Sequence, residues 1–498
     1  MPRRCPLLPV LLSLLAPSAL AAQGRGIDSM ALRAHTYFLS HDLLEGRGTG
    51  TRGGEVAALY LASAAAQLGL TGAGTGGSFY QEVPLVEATI DTAATMLVLT
   101  EEGAAGPART TYRSPGAFIP NAGTARTLIG IEGDLAWVGS ASQILARPQD
   151  LPPLSGRIAV MAGVFGPSGA AADTLRTRGA VGVLQVVPSI EVYRLYTASR
   201  GPTRLYVDDS AVTSSFVPDL PAFLLHPALA ARILPGAPGS DSASAPVLLH
   251  GRHVHISLTV RPQPLRARNV AALLRGTDPS RRDEIVAFTA HLDHLGFSTR
   301  DARGDSLYNG FSDNAAGSAM LLAIAQVLAA ERPARSMLFL WLTGEELGLL
   351  GSDYFVARPT VPLARIAAVI NLDAGAPPAP PVRWNVQGGV RSDLGALAAA
   401  IAHREGWEVR LEPASPNSDH YPFLRAGVPA VFLVPAPGPF DGMTTEVSQA
   451  LRRRWDHIHQ PADAWAPDFP FGGLVRYATY ALLLGRAAAD GPRPVIVP

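Results

Sequence analysis

Residues 284–294, EIVAFTAHLDH, join an apolar run to a string of polar side chains. The part from 284 to 290 has the length and the bulky apolar residues of a buried β-strand. His291-Leu-Asp-His294 follows it without a break. The segment therefore predicts a buried strand that ends in side chains able to do chemistry.

Strand-length apolar runs alternate with helical patterns from this segment to the carboxyl end of the chain. Such alternation predicts an α/β fold, with a mainly parallel central sheet and helices on both faces. The predicted strands lie at 284–290, 337–342, 366–372 and 429–434, and the predicted helices at 313–330, 346–357, 393–403 and 471–489.

Candidate metal ligands follow three of these strands. His291 follows the first strand, and Glu345 and Glu346 closely follow the second. Asp373 directly follows the third, while Asp313 opens a helix. In open α/β sheets, ligands bind beyond the carboxyl ends of the strands. We therefore expect these side chains at one edge of the sheet.

The composition excludes several classes of protein. Lys+Arg and Asp+Glu number 41 each, which argues against a nucleic-acid-binding protein and against a polybasic membrane-surface protein. The sequence contains no lysine, so chemistries that need a catalytic lysine are excluded. The apolar helix at 471–489 is interrupted by Arg476 and Arg486, so we expect it in the core and expect no stable membrane insertion.

The first 22 residues have the pattern of a signal peptide. Arginines near the start precede a short apolar run at 7–15, and Ala19-Leu-Ala21 supplies the small-x-small cleavage pattern. We expect a secreted or periplasmic protein that loses Cys5 with the peptide. Because Cys5 is the single cysteine, any metal in the mature chain is then held by His, Asp and Glu.

These donor types favour zinc. A hydrolytic zinc site without cysteine uses imidazole and carboxylate, and a second metal typically lies roughly 3.5–4 Å away across a shared carboxylate. Glu345 and Glu346 diverge as neighbours, so one can bind metal while the other faces water. Asp293 is placed to orient the ring of His291. Singly, each string also has a structural interpretation, because an Asp after a strand is commonly a helix cap.

The amino-terminal half has a different pattern of apolar residues. Residues 27–70 are helical in pattern and 79–86 predict a strand. Short apolar runs from about 126 to 260, divided by Pro, Gly and Ser, predict a separate, largely β insert in which His253 and His255 are strand surface. The predicted organisation is a signal peptide at 1–22, an amino-terminal part of the main domain at 23–125, the insert at 126–262 and a metal-binding part at 263–498.

Several strings together resemble the co-catalytic zinc aminopeptidases, a family that includes bacterial leucine aminopeptidases and glutamate-carboxypeptidase-like enzymes. Their order and spacing agree across about 266–490, and Leu44-Glu-Gly-Arg-Gly-Thr-Gly50 is similar to the family's lead-in segment. The insert resembles a protease-associated domain. The strings are His291-Leu-Asp-His-Leu-Gly296, Asn309-Gly-Phe-Ser-Asp-Asn-Ala-Ala-Gly317, Thr343-Gly-Glu-Glu-Leu-Gly-Leu-Leu-Gly-Ser352, Asn371-Leu-Asp373, Ser418-Asp-His420 and His459-Gln-Pro-Ala-Asp463.

The resemblance implies a zinc-exopeptidase fold with two zinc ions per chain and a role for each ligand. Asp313 bridges the ions, His291 and Asp373 complete one site, and Glu346 and His459 complete the other. Glu345 is the general base, and Asp293 orients His291. His457 is the rival of His459, and the Gln-Pro that follows His459 favours the latter.

Two positions depart from the pattern of some relatives. Ser312 stands where they have a second Asp before the Asn, and residues 414–417 lack the tyrosine that stabilises the oxyanion. Tyr421 lies on the other side of the Ser-Asp-His string.

The implied activity is removal of amino-terminal residues from peptide substrates. The alternatives are a carboxypeptidase or dipeptidase of the same fold, a glutaminyl-cyclase-like transferase with one zinc, and a non-enzymatic binding protein. The sequence does not predict an oligomeric state.

Overall fold

The computed structural model describes residues 26–121, 130–163, 169–199, 203–215, 220–234 and 245–497. The predicted signal peptide at 1–22, with Cys5, lies outside this part of the chain, so export stays a prediction.

Two large sheets organise the described residues. The strands are β1 Thr71–Gly72, β2 Tyr80–Ile90, β3 Met96–Gly103, β4 Gly106–Arg113, β5 Phe118–Pro120, β6 Ile131–Ser140, β7 Ile158–Ala162, β8 Gly182–Val186, β9 Thr203–Val207, β10 Ala222–Leu225, β11 Val247–Ser257, β12 Val260–Leu274, β13 Ile285–His291, β14 Gly296–Phe297, β15 Leu307–Tyr308, β16 Ser336–Leu342, β17 Ile366–Asn371, β18 Arg383–Gln387, β19 Glu408–Glu412 and β20 Ala430–Pro435. The α-helices are α1 Ser29–Leu39, α2 Arg52–Gln67, α3 Ala141–Ala146, α4 Gly169–Thr177, α5 Ile190–Ser199, α6 Pro227–Ile233, α7 Ala316–Glu331, α8 Leu350–Ala357, α9 Asp393–Arg404, α10 His420–Arg425, α11 Thr445–Trp455 and α12 Gly472–Asp490.

The main sheet has the order β19-β18-β20-β17-β13-β16-β12-β2-β9, with β1 paired to β12. Its central strands β20, β17, β13 and β16 are parallel. On either side of this centre, β18 is antiparallel to β20 and β12 is antiparallel to β16. All the parallel strands of the centre therefore end at one edge, as the sequence predicted.

Helices cover both faces of this sheet. Successive residues of β13 point to opposite faces, so Phe288 packs in the cluster that contains α7 and α12, while Ala287 packs in the cluster that contains α8 and α10. Both residues are fully buried. Apolar side chains on both faces explain why β13 is a continuous apolar run, and the predicted α/β fold is confirmed.

The second sheet has the order β4-β3-β11-β6-β7-β8-β10-β5. It begins at Met96, well before the predicted insert boundary at 126, because β3 and β4 form a hairpin that pairs with β11. It is also less purely β than predicted, since β6, β7, β8 and β10 run parallel and helices α3 to α6 connect or flank them. Its identity as a protease-associated domain stays a prediction.

The inserted region returns to the main sheet before it ends. Strand β9 pairs antiparallel with β2. Just beyond it, the backbone N–H of Ser215 donates to Asp353 of α8 at 2.7 Å, and Arg425 of α10 donates to the carbonyl of Thr213 at 2.6 Å. We call residues 203–215 the strap, because they tie the insert to the helices beside the main sheet.

Two predicted helices begin later than the sequence indicated. The helix expected from 346 starts at Leu350, and the helix expected from Asp313 starts at Ala316 after an irregular turn, Phe311–Ala315. Gly344 and Gly348 have φ of 70° and 109°, so the chain turns sharply between β16 and α8. Glu345 and Glu346 therefore lie in a loop, where the directions of their side chains are not set by the geometry of a helix.

One described helical segment, Phe311–Glu331, is long and apolar enough to cross a membrane by length and composition. In the structure 83% of its apolar window is buried inside the protein, and α7 packs on the main sheet.

Gly485 allows α12 to lie close to the sheet. A Cβ at this position would lie 2.3 Å from Cζ of Phe288. We expect Gly485→Ala to lower the free energy of unfolding by about 1–3 kcal/mol, because overpacking outweighs the better helix propensity of alanine. Chemical denaturation measures it. Gly472→Ala at the start of α12, whose nearest contact is at 3.7 Å, is the control; equal stability of the two variants would contradict this packing.

Candidate metal centre

His291 ends β13 with its ring fixed at both nitrogens. Its Nδ1 lies 3.0 Å from the backbone carbonyl oxygen of Asp293, which can only accept, so Nδ1 carries the proton. Nε2 then presents a lone pair. It lies 2.8 Å from Oδ1 of Asp373 and 3.0 Å from Oδ1 of Asp313. Three acceptor atoms therefore converge on one point at the edge of the sheet.

A second group of acceptors lies on the other side of Asp313. Nε2 of His459 is 2.9 Å from Oδ2 of Asp313 and 3.1 Å from Oε2 of Glu346. The two carboxylate oxygens of Asp313 thus face different groups, one with His291 and Asp373 and one with His459 and Glu346. This is the arrangement of a carboxylate shared between two metal ions.

The residues present fit zinc at both positions. Donors bound to one tetrahedral zinc at about 2.0–2.1 Å lie roughly 3.3 Å apart, close to the separations in both groups. The donors are imidazole and carboxylate alone, a set that zinc accepts. The side chain of His291 is 1% exposed and that of His459 is 56% exposed. The group with His459 therefore opens toward solvent.

Asp463 holds the turn that presents Asp313, a role that the sequence pattern did not assign. Its carboxylate accepts the backbone N–H of Ser312 at 3.0 Å and that of Asp313 at 3.2 Å. On the other side of the turn, Asn314 donates to the carbonyl of Leu372 at 3.0 Å. The turn is thereby tied to the segment that carries Asp373. The signal for this role is the Asp that ends the His459-x-x-x-Asp463 string.

His294 is a second residue that the sequence left without a role. Its Nδ1 lies 2.5 Å from Oε1 of Glu346 and 3.7 Å from Oδ2 of Asp313. Its side chain is fully buried, and its Nε2 has no hydrogen-bond partner among the described residues. With Nδ1–H donated to Oε1, Glu346 keeps Oε2 for the group with His459.

Asp293 lies close to His291, but not in the predicted contact. Its carboxylate is 3.8 Å from Nδ1 of His291, too far for a hydrogen bond, and its backbone carbonyl takes that place. The carboxylate instead accepts the hydroxyl of Thr49 at 2.7 Å and the backbone N–H of Glu345 at 3.3 Å. Asp293 therefore connects the His291 turn to the Glu345 loop.

Glu345 lies in an acidic, largely buried environment. Burial raises the pKa of Glu345 well above its usual range, and the charges of Asp373, Asp419 and Glu346 raise it further, while His291 opposes them. One oxygen of Glu345 lies within 4.8 Å of ligand atoms of His291 and Asp373. A carboxyl in this environment can hold a proton near the reacting position.

The Ser418-Asp-His420 string lies behind this group. Ser418 donates its hydroxyl to Asp373 and accepts a hydrogen bond from Asn371 at 2.7 Å. Ser352 donates to the carboxylate of Asp419 at 2.5 Å. Ser418 therefore fixes the orientation of Asp373 from a buried position.

His457 and His459 are separated by the structure. Nε2 of His457 lies 2.9 Å from the carbonyl of Arg454 at the end of α11, away from the cluster. All the residues that the sequence predicted as ligands, including His459 rather than His457, come together at one edge of the sheet.

The α/β sheet gathers imidazoles and carboxylates beyond its parallel strands, around Asp313. This arrangement is typical of a metallopeptidase domain. A model of peptidase family M28 matches residues 269–471. The match agrees with the family that the sequence resemblance indicated for this part of the chain.

Curated relatives are similar over parts of the chain. A probable zinc metalloprotease of Leptosphaeria maculans is 27% identical over 205 residues, 34% of this chain and 47% of the relative. Leupeptin-inactivating enzyme 1 of Streptomyces exfoliatus is 29% identical over 157 residues, 29% of this chain and 32% of the relative. Aminopeptidase YwaD of Bacillus subtilis is 29% identical over 149 residues, 29% and 30% of the two chains. The matches span less than half of each relative.

A solved structure shares the fold over nearly the whole length. The aminopeptidase from Aneurinibacillus sp. strain AM-1 is 17% identical, with a TM-score of 0.53 over 95% of this chain and 96% of that one. At this identity the likeness concerns the fold.

The two histidines near residue 458 give a matched pair of variants. We expect His459→Ala to reduce bound zinc by about one ion per chain, because Asp313 and Glu346 then lack their nitrogen partner. His457→Ala keeps the full zinc content, since its ring bonds to Arg454. Metal analysis of the purified variants measures both. Loss of zinc in His457→Ala, or full zinc in His459→Ala, would contradict the assignment.

Proposed function

We propose that the chain is an exported aminopeptidase that uses two zinc ions to hydrolyse the amino-terminal peptide bond of its substrates. The observation that carries the proposal is the position of Asp313, whose two oxygens face two separate imidazole–carboxylate groups. A single-zinc site has no need of the second group. The arrangement therefore favours hydrolysis over a glutaminyl-cyclase-like transfer.

Asp313 is the shared ligand in this proposal. His291 and Asp373 would hold one zinc, and Glu346 and His459 would hold the other. Bound zinc supplies Lewis-acid polarisation of a peptide carbonyl and makes a nearby water more acidic. His294, Ser418 and Asp463 orient the ligands from behind.

Glu345 is the proton carrier. Its carboxylate takes a proton from the attacking water and passes it to the nitrogen of the departing amine. The buried, acidic surroundings that raise its pKa suit this task, because the group then binds a proton more readily than an exposed glutamate. Its loop position lets its side chain diverge from that of Glu346.

The charge around the site favours an amino terminus over a carboxyl terminus. A carboxypeptidase needs a cation for the substrate carboxylate, and this chain has arginine alone for that purpose. Among the described residues, the guanidinium that touches the ligand-bearing loops is that of Arg47, and backbone carbonyls occupy its donors. A cluster rich in carboxylates suits a substrate ammonium group instead.

Two further observations support the proposal. One of the partial relatives is named an aminopeptidase and another a leupeptin-inactivating enzyme, both from bacteria. The amino-terminal 22 residues have the pattern of an export signal.

Metal content and end-group preference test the proposal together. We expect about two zinc ions per mature chain and turnover of free-amine aminoacyl substrates but not of their N-acetylated forms. Two zinc ions with activity on blocked or carboxyl-terminal substrates would keep the site and make the protein a carboxypeptidase. One zinc, or none, would overturn the two-zinc proposal.

Glu345→Gln tests the proposed proton transfer separately from zinc binding. The change removes the basic oxygen with little change of shape, so we expect a fall in kcat of about 10²–10⁴-fold with zinc content unchanged. Steady-state kinetics and metal analysis measure the two quantities. Glu331→Gln, at the far end of α7 where Glu331 pairs with Arg486, is the control of equal chemistry. Wild-type kcat in Glu345→Gln would remove Glu345 from the mechanism.

A further inference from the structure

Arg47, in the lead-in segment at 44–50, is a buried arginine that binds backbone alone. Its Nε donates to the carbonyl of Leu292 at 2.9 Å, its Nη1 to Asn309 at 2.7 Å and its Nη2 to Gly310 at 2.9 Å. Nη1 also donates to the carbonyl of Leu39 at the end of α1. One guanidinium therefore joins α1, the turn after His291 and the segment that leads into the Asp313 turn.

The backbone next to Arg47 reinforces the same junction. The N–H of His294 donates to the carbonyl of Arg47 at 3.2 Å, and Thr49 donates its hydroxyl to Asp293 at 2.7 Å. Gly48 pairs with His294 in a single parallel β-bridge. Every residue from 292 to 294 is thereby bonded, through side chain or backbone, to residues 47–49.

The charge of Arg47 has no contacting counter-ion. It is 1% exposed, and no carboxylate of the described residues lies within ion-pair distance of it. A buried cation without a contacting partner is costly unless hydrogen bonds and more distant charges offset the loss of water. Asp313, Asp293, Asp463 and Glu346 are the anionic groups that attract it.

A buried arginine can also be balanced by a carboxylate that it contacts directly. Arg335 is an example. It is similarly buried, but it donates to Glu284 at 2.6 Å and to the carbonyl of Gly491 at 2.7 Å. It lies at the start of β16, the end of the strand opposite the metal centre. The two arginines therefore share burial and carbonyl contacts and differ in what surrounds them.

We propose that Arg47 is a positioning residue, which fixes the His291 turn against the Asp313 turn and balances the charge of the carboxylates behind the metal centre. The inference rests on the proposed function, since it assigns Arg47 to the same two-zinc site. Arg47 acts through the ligands and does not touch the substrate.

Zinc affinity of Arg47→Met, measured by competition with a chromogenic chelator, tests this role. We expect a loss of about 10–100-fold, the range for residues that orient metal ligands, with a fall in kcat larger than any change in KM. Cobalt substitution adds a second readout, because misplaced ligands change the absorption bands of the bound Co²⁺. Arg335→Met is the matched control, which loses thermal stability but keeps the zinc affinity of the wild type.

If Arg47→Met does not fold, Arg47→Lys tests the same inference. A lysine keeps the charge but replaces the planar fork with a single ammonium, so it cannot reach all the carbonyls, and we expect an intermediate zinc affinity. A folded Arg47 variant with wild-type zinc affinity would overturn the inference, as would an equal zinc loss in Arg335→Met. A wild-type protein that binds no zinc would overturn the proposed function itself, which the wild-type measurement alone reveals.

Discussion

The shared carboxylate of Asp313 is the constraint on which the rest of the site depends. One side chain must present an oxygen to each of two imidazole–carboxylate groups, within about 3 Å of both imidazole nitrogens. That accuracy requires a turn that cannot move. The protein supplies it by bonding the turn to Asp463 on one side and, through Asn314, to the end of β17 on the other.

Concentrated negative charge is the cost of this arrangement, and it explains the surroundings. Carboxylates buried near one another repel and lose hydration, so they are stable only where cations and hydrogen-bond donors meet them. Bound zinc neutralises the front of the cluster in the proposed function. Behind it, donors come from Thr49, Ser352 and Ser418, and a distant positive charge comes from Arg47. The amino-terminal segment, which contributes no ligand, thus completes the site.

The sequence predicted the parts of the site that follow from local order. A strand that stops at His291 and another that stops before Asp373 are visible as apolar runs, and parallel strands bring their ends to one edge. The loop position of Glu346 was not predicted, because Gly348, one of the two glycines that bend the chain there, lies inside the predicted helix at 346–357. His294, Asp463 and Arg47 lay inside recognised strings, but their roles depend on contacts between segments far apart in the chain, which no local pattern encodes.

The insert shows the same limit at the scale of domains. The boundary predicted at 126 from the pattern of apolar residues misses β3 and β4. This hairpin belongs to the second sheet because β3 pairs with β11, which is far away in the sequence. The strap blurs the boundary further, because it adds β9 to the main sheet and then bonds α8 through Asp353. Helix α8 directly follows the loop of Glu345 and Glu346. The insert is therefore hydrogen-bonded to the helix that follows the Glu345 loop, and a domain division along the sequence would cut through that contact.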